Sequence, residues 1–146
     1  QPGARAGPVR GCDVAELVGP PDGWWAGRIG EPRTVVLSTT GPGGRAHAAA
    51  VWYLWRDGEV QIVTGRGSQK HRNIERTGQA AVTWLEDWRY LTAAGPVTAE
   101  PLTREDRYAL WAHYRGPEVA AKETASDAHE EMVLLRLRPA RWWGQW

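Results

Sequence analysis

From residue 34 onward the apolar positions fall into short strand-like runs, cut at intervals by turn residues. TVVLSTT at 34–40 is rich in β-branched residues, and GPGG at 41–44 follows it as a hairpin turn. RAHAAAVWYLWR at 45–56 predicts one long strand, ended by the tight-turn pair Asp57-Gly58. EVQIVT at 59–64 alternates with period two. These three runs predict antiparallel strands that feed into a glycine-bracketed segment at 65–70. QAAVTWLEDW at 79–88 and YLTAAGPVTAE at 90–100 predict two more strands, with Gly95-Pro96 expected to break or bulge the second. MVLLRLR at 132–138 is the last, placing Val133, Leu135 and Leu137 on one face, and Pro139 ends it.

Helical signals are fewer. Residues 13–18 predict one or two helical turns ended by Gly19-Pro20-Pro21, and Trp24-Trp25-Ala26 predicts a second short helix running out near Pro32. The Trp pair is expected to cover the end of a core. Thr103 and Asp106 flank a helix start, with Glu105 at its positive end. Leu110, Trp111 and Tyr114 give that helix one apolar face, and Gly116-Pro117 stops it. A further short helix is expected over 118–126, and RWWGQW at 141–146 reads as an aromatic tail. Six strands with one helix inserted after the third leave unpaired edges if laid flat, so closure into a small, mainly β, antiparallel barrel is expected. The Pro/Gly/Arg-rich start and the short helix, 1–23, form a flexible N-terminal segment in this reading, and 24–146 a single barrel domain.

The helix after the third strand carries the candidate chemistry. Gly65 and Gly67 bracket Arg66, and Ser68 has the chemistry of an N-cap, its hydroxyl accepting from an otherwise unpaired first-turn amide. A helix starting there presents amides and a positive dipole end to an anion. At helical spacing Lys70, Asn73, Ile74 and Thr77 share one stripe, and Arg72 and Arg76 another. Ile74 must face protein, which draws Lys70 and Asn73 to the interior edge. A lysine beside helix amides and a small hydroxyl is a phosphate site in kind; an ordinary capped helix with solvated charges is the bland alternative.

Composition narrows the classes. The 146 residues suffice for one domain that buries roughly 68–70% of its unfolded surface. A formal net charge of +1 gives no general reason to expect nucleic acid or an anionic membrane as partner, and no apolar run reaches the length of a membrane span. The single cysteine, Cys12, excludes an internal disulfide and a cysteine-based metal cluster, which fits a reducing, cytoplasmic setting. Lys70 and Lys122 are the only lysines among 18 basic residues, which makes Lys70 an exception to an arginine habit. Ten tryptophans against no phenylalanine fit an aromatic pocket or subunit contact, core packing, or replacement of Phe by Trp.

The remaining polar residues carry less. His47 is expected to be a partly exposed strand histidine and His71 a surface residue. His113 and His129 have no metal-ligand spacing with any partner, so no metal is expected. Glu86-Asp87 and Glu130-Glu131 are expected to solvate loops. Trp52 and Trp55 are three apart, so in a strand they point to opposite faces. No side chain is marked as a committed acid or base, and no catalytic residue is assigned.

The segment TVVLSTTGPGGRAHAAAVWYLWRDGEVQIVTGRGSQKHRNI resembles the pyridoxamine 5'-phosphate oxidase-like split-barrel flavoproteins. It follows their layout of strand, Gly-rich hairpin, G-R-x-H into a long strand, D-G turn, strand, and S-x-K-x-x-N opening a helix. The likeness runs more loosely through ALWAHYRGPEVAAK to the last strand, over about 29–143. It implies a homodimer of six-stranded split barrels that holds a flavin or deazaflavin in each interface cleft. By that resemblance Ser68, Lys70 and Asn73 hold the cofactor phosphate, with Arg66 a helper. Ala48, Ala49 and Ala50 with Val51 and Trp52 match the strand along which the ring system lies, and Thr64 the end of the adjacent strand. Small side chains at 48–50 would let a flat heterocycle reach the backbone.

The resemblance implies coenzyme F420 or FMN. The GRGSQK-type segment and the arginine-rich composition lean to F420, whose longer anionic tail would call on Arg45, Arg66 or Arg72. The implied activity is hydride transfer between reduced cofactor and a flat conjugated small molecule. A non-catalytic cofactor carrier or sensor is the alternative, with a single-strand nucleic-acid binder well behind. The chain departs from the family in its aromatics: Trp84, Trp142, Trp143 and Trp146 are expected to crowd or reshape the substrate side.

Overall fold

The computed structural model describes Ala15–Leu17 (backbone only), Pro20, Pro21 and 23–146. Its strands are β1 (Ala15–Leu17), β2 (Val35–Thr40), β3 (Ala46–Val51), β4 (Leu54–Arg56), β5 (Glu59–Gly65), β6 (Gln79–Glu86), β7 (Arg89–Pro101), β8 (Met132–Leu137) and β9 (Arg141–Gln145). Three α-helices intervene, α1 (Gln69–Thr77), α2 (Arg104–Arg115) and α3 (Pro117–Glu123). Every strand pairing is antiparallel.

The pairing order is β3-β2-β6-β7-β8-β5-β4. β3 and β4 are two halves of the run predicted as one strand, which breaks at Trp52-Tyr53. The first half pairs with β2 and the second with β5, so the path returns to the chain segment it left. Counted that way the closed path has six strands, as the pattern predicted, with β1 and β9 paired off it, but the long strand is kinked. The kink lets one run serve both sheets of a split barrel. The Asp57-Gly58 turn has positive φ at both residues, 57° and 71°, the twist that suits a two-residue hairpin.

The other differences have local causes. The helix expected over 13–18 is not formed at Ala15–Leu17, which instead pair with Gly144, Trp143 and Trp142 of β9; residues 13, 14 and 18 lie outside the described set. The aromatic tail is itself strand β9, laid along β7 from Tyr90↔Gln145 to Ala94↔Arg141. In both segments the demand to cover a sheet edge outweighs local propensity. Gly95-Pro96 does not break β7, which runs unbroken for 13 residues. It marks the handover from β6 to β8, and the Pro96 carbonyl accepts from Arg138 N at 3.0 Å. A Cβ on Gly95 would stand 2.1 Å from the Arg138 carbonyl oxygen, so only glycine fits that crossing.

The barrel interior is filled by Val35, Leu37, Ile62, Val82, Leu91 and Leu135, each 1% exposed or less. Trp84 and Trp142 stack within it, centroids 6.1 Å apart, and Trp25 (0% exposed) belongs to the same core, with Trp24 packed against it. Of the indoles expected near the substrate side, Trp84 and Trp142 are therefore core, Trp146 packs against that core, and Trp143 sits on β9. Close packing of such large rings contributes several kcal/mol each by burial alone, about 3–5 on truncation to Ala.

Candidate functional site

α1 begins where the sequence predicted. Gly67 takes φ +78°, turning the chain, and Ser68 Oγ accepts from His71 N at 3.3 Å. Thr64, at the end of β5, meets Ser68 hydroxyl to hydroxyl at 3.0 Å, tying the strand end to the helix start. Gly78 ends the helix in the left-handed region, its N–H bonded to Ile74 O at 2.7 Å. Ile74 is buried at 3% exposure, which fixes the rotation of the helix and turns Lys70 inward. Part of the predicted anion cradle is used internally: besides the Ser68 cap, Gly67 N donates to His71 Nδ1 at 2.9 Å. His71 is thus a half-buried local brace that also pairs with Glu75, 2.8 Å away.

Lys70 opens onto a cavity of about 590 Å³, well inside the range of small-molecule sites. Ala50, Val51 and Trp52 of the β3 end, with Thr64 from β5, line it too, so five of the ten sequence-predicted site residues meet there. α2 contributes Arg107, Leu110 and Trp111. Thr34, Val63, Gly65 and Met132 complete the wall. The lining holds two cations and no carboxylate, histidine, tyrosine or cysteine. Neither Lys70 nor Arg107 has an ion-pair partner among the described residues.

The other five predicted residues are placed differently. Ala48 is on the exposed face of β3 beside Ala50, while Ala49 turns inward and packs against the core, since strand side chains alternate. A flat group along this strand would meet Ala48 and Ala50 but not the Ala49 methyl. Ser68 is occupied by its cap and by Thr64. Arg66 is exposed and donates to the Glu130 carbonyl at 3.2 Å. Asn73 is fully buried, donating to Thr39 Oγ1 at 3.0 Å and accepting from Gln69 Nε2 at 2.6 Å. Its amide joins α1 to β2 and borders a separate cavity of about 360 Å³ with Arg45, His47 and Gln69.

Trp52 and Trp55 do part company. Trp55 meets Trp142 edge-on at 5.9 Å on the core side, and Trp52 lines the cavity. Trp52 lies stacked on Tyr114, with Trp111 edge-on at 5.3 Å and the Arg115 guanidinium 4.7 Å from its ring. Behind it the kink is held by two tyrosines. Tyr53 Oη donates to Ile29 O at 2.5 Å and accepts from Trp84 Nε1 at 2.8 Å. Burial pushes the Tyr53 hydroxyl up to about 12, and burial likewise raises that of Tyr114. Both stay neutral hydrogen-bonding groups at physiological pH.

The α2 wall is what residue reading missed. Leu110, Trp111 and Tyr114 were legible as an apolar face, but Arg107 sits three residues before Leu110 on that same face. An arginine on an apolar helical stripe was the available signal. It is 8% exposed and donates to the carbonyl of Glu123, the last residue of α3.

A kinked split barrel with an aromatic, cation-lined cleft defines the class. The chain belongs to the pyridoxamine 5'-phosphate oxidase family, whose sequence profile matches residues 25–146. No curated protein sequence matches it significantly. Among solved structures an F420 reductase is similar, with TM-score 0.69, 23% identity, and 84% of this chain and 97% of that one covered. A pyridoxamine 5'-phosphate oxidase-related, FMN-binding protein from Nostoc punctiforme gives 0.55 at 18% identity, with 82% of each chain covered. The heme storage protein of Vibrio cholerae gives 0.58 at 18%, covering 75% of this chain and 82% of that one. At these identities the likeness is one of fold. No helix among the described residues is long and apolar enough to cross a membrane.

Proposed function

We propose that the chain is a flavin- or deazaflavin-dependent oxidoreductase acting on a flat, conjugated small molecule, with coenzyme F420 favoured over FMN. The observation that carries this reading is Lys70: an inward-turned ammonium with no carboxylate partner among the described residues, in a carboxylate-free cavity beside Ala50 and Trp52. A phosphate about 4 Å from such an ammonium gains on the order of 4 kcal/mol at an effective dielectric of 20, before desolvation. When bound, the cofactor supplies hydride transfer. The chain's own part is to hold the anionic end with Lys70, to flank the ring with the small outward side chains of Ala48 and Ala50, and to keep water out with Trp52, Leu110 and Trp111. Among the described residues Arg45, Arg66 and Arg72 have no carboxylate partner either, which favours the cofactor with the longer anionic tail.

A homodimer is part of this reading. Among the described residues β3 pairs with β2 alone and its other edge has no strand, and Ala46, Ala48 and Ala50 are exposed beside it. A second copy laid on that face would cover an edge that monomers otherwise protect. The carrier reading stands second, favoured by a cavity whose lining holds no carboxylate, histidine, tyrosine or cysteine. Titrating the apoprotein with FMN and with F420 side by side, then assaying reduced F420 consumption with quinone, nitroaromatic and tetrapyrrole acceptors, tests both. Tighter F420 binding with turnover is expected. Binding without turnover selects the carrier, and binding of neither cofactor ends both readings.

A further inference from the structure

We propose that the small molecule taken by this cleft carries a carboxylate, and that Arg107 is the residue that receives it. The inference deepens the reading of the cleft as a small-molecule site and rests on it. Two charged side chains are buried among the described residues, Glu59 and Arg107. Glu59 is paired, 2.7 Å from Arg136. Arg107 is not. Its Nη1 bonds the last carbonyl of α3, a partial negative end that offsets some of the cost of burial but supplies no counter-charge.

The nearby acids are otherwise placed. Asp106 pairs with Arg56 at 2.9 Å, and Glu105, Glu118 and Glu123 are exposed and form no ion pair with Arg107. A guanidinium offers five N–H donors in a planar fork, and one is committed here. The fork matches a carboxylate in two-point contact better than an ammonium can. Arg107 lines the cavity from α2, while Lys70 lines it from α1, with Trp52 and Trp111 also in the wall. Two separate cations and two indoles suit two anionic groups around flat apolar matter: one on the cofactor, at Lys70, and one on the substrate, at Arg107.

The test is calorimetric titration with naphthoate and its neutral isostere naphthamide, in wild type, Arg107→Gln, Arg107→Lys and Lys70→Ala proteins. Wild type is expected to prefer naphthoate, and Arg107→Gln to lose roughly tenfold to a hundredfold in naphthoate affinity while naphthamide binding stays within about twofold. Arg107→Lys, which keeps the charge but not the fork, should fall between, and it carries the test if the Gln variant does not fold. Lys70→Ala should lower cofactor affinity and leave the naphthoate preference. Equal loss of both probes in the Arg107 variants, no loss in either, or no wild-type preference overturns the assignment. Loss of F420 or FMN affinity in Arg107→Gln without loss of naphthoate preference moves Arg107 to the cofactor and leaves the oxidoreductase reading intact. A preserved naphthoate effect in a protein that binds neither cofactor does the reverse.

Discussion

The ring of Trp52 lies on that of Tyr114, centroids 4.3 Å apart and planes 7° from parallel. The same tyrosine's hydroxyl accepts from Tyr53 N at 3.0 Å and donates to Arg33 O at 2.6 Å. One side chain of α2 therefore does two things at the kink. It satisfies the backbone amide left without a ladder partner where β3 gives way to β4, and it backs the indole that walls the cavity. Fold and site are coupled at this point, because the bend that closes the barrel is the bend that presents Trp52.

Tyr114→Phe separates those two roles. The ring stack should persist, while a part-buried N–H and a carbonyl lose their partner. The expected cost is about 1–3 kcal/mol, read as a lower urea midpoint at unchanged m. Trp52 fluorescence should change little in Phe and clearly in Tyr114→Ala. A Phe variant as stable as wild type would show that the Tyr53 amide is satisfied by water.

Tyr53 makes stability depend on pH at the alkaline end. Its hydroxyl titrates near 10 when the chain is unfolded and at about 12 in the fold, where burial disfavours the anion. Between those values the unfolded chain has lost a proton that the folded chain keeps. The stabilisation is whole below pH 10 and falls as pH rises toward 12, by about 2–3 kcal/mol. Tyr53→Phe should flatten that slope in chemical denaturation at pH 9 to 11, at the cost of the bonds to Ile29 O and Trp84 Nε1 and a lower midpoint at neutral pH.

How much of this was legible follows a simple division. Features set by neighbours in sequence were readable: the Ser68 cap, the Asp57-Gly58 turn, the Thr103 cap accepting from Asp106 N at 3.1 Å, and the inward turn of Ile74. Features set by partners far along the chain were not. The kink at Trp52-Tyr53 depends on Tyr114, 61 residues away. Strand β9 depends on an edge offered by β7, and Asn73 is drawn from the cavity to Thr39 by a bond across 34 residues. Arg107 is the mixed case: its place three residues before Leu110 on an apolar stripe was local and readable, but its partner among the described residues, the end of α3, was not.

Two glycines should resist substitution where a sequence pattern would tolerate it. A Cβ on Gly95 meets Arg138 O at 2.1 Å, and one on Gly144 meets Tyr90 O at 2.2 Å. Both obstacles are backbone, which has little room to yield. Gly95→Ala and Gly144→Ala should each cost about 3 kcal/mol or more. By contrast Gly30→Ala, with nothing within 4 Å, should stay within about 0.5 kcal/mol of wild type. Thermal melts of the three variants check the contrast, and equal melting points would show that β7 stands farther from β9 and from the Arg138 carbonyl than described.

The cofactor reading meets its sharpest test at Lys70. Removing the ammonium leaves the capped helix, since neither the Ser68 cap nor the burial of Ile74 depends on it. Lys70→Ala should therefore melt near wild type yet bind F420 or FMN about tenfold to a thousandfold more weakly, the loss of one charge-assisted contact. Because the ammonium grips the anionic end and not the reacting ring, turnover at saturating cofactor should change far less than affinity. Lys70→Arg should recover part of the binding, and the loss should shrink as salt is raised, since screening weakens the wild-type contact first. Unchanged cofactor affinity in Lys70→Ala would put the phosphate elsewhere, and the remaining candidates are Arg107 and the arginines at 45, 66 and 72, which form no ion pair among the described residues.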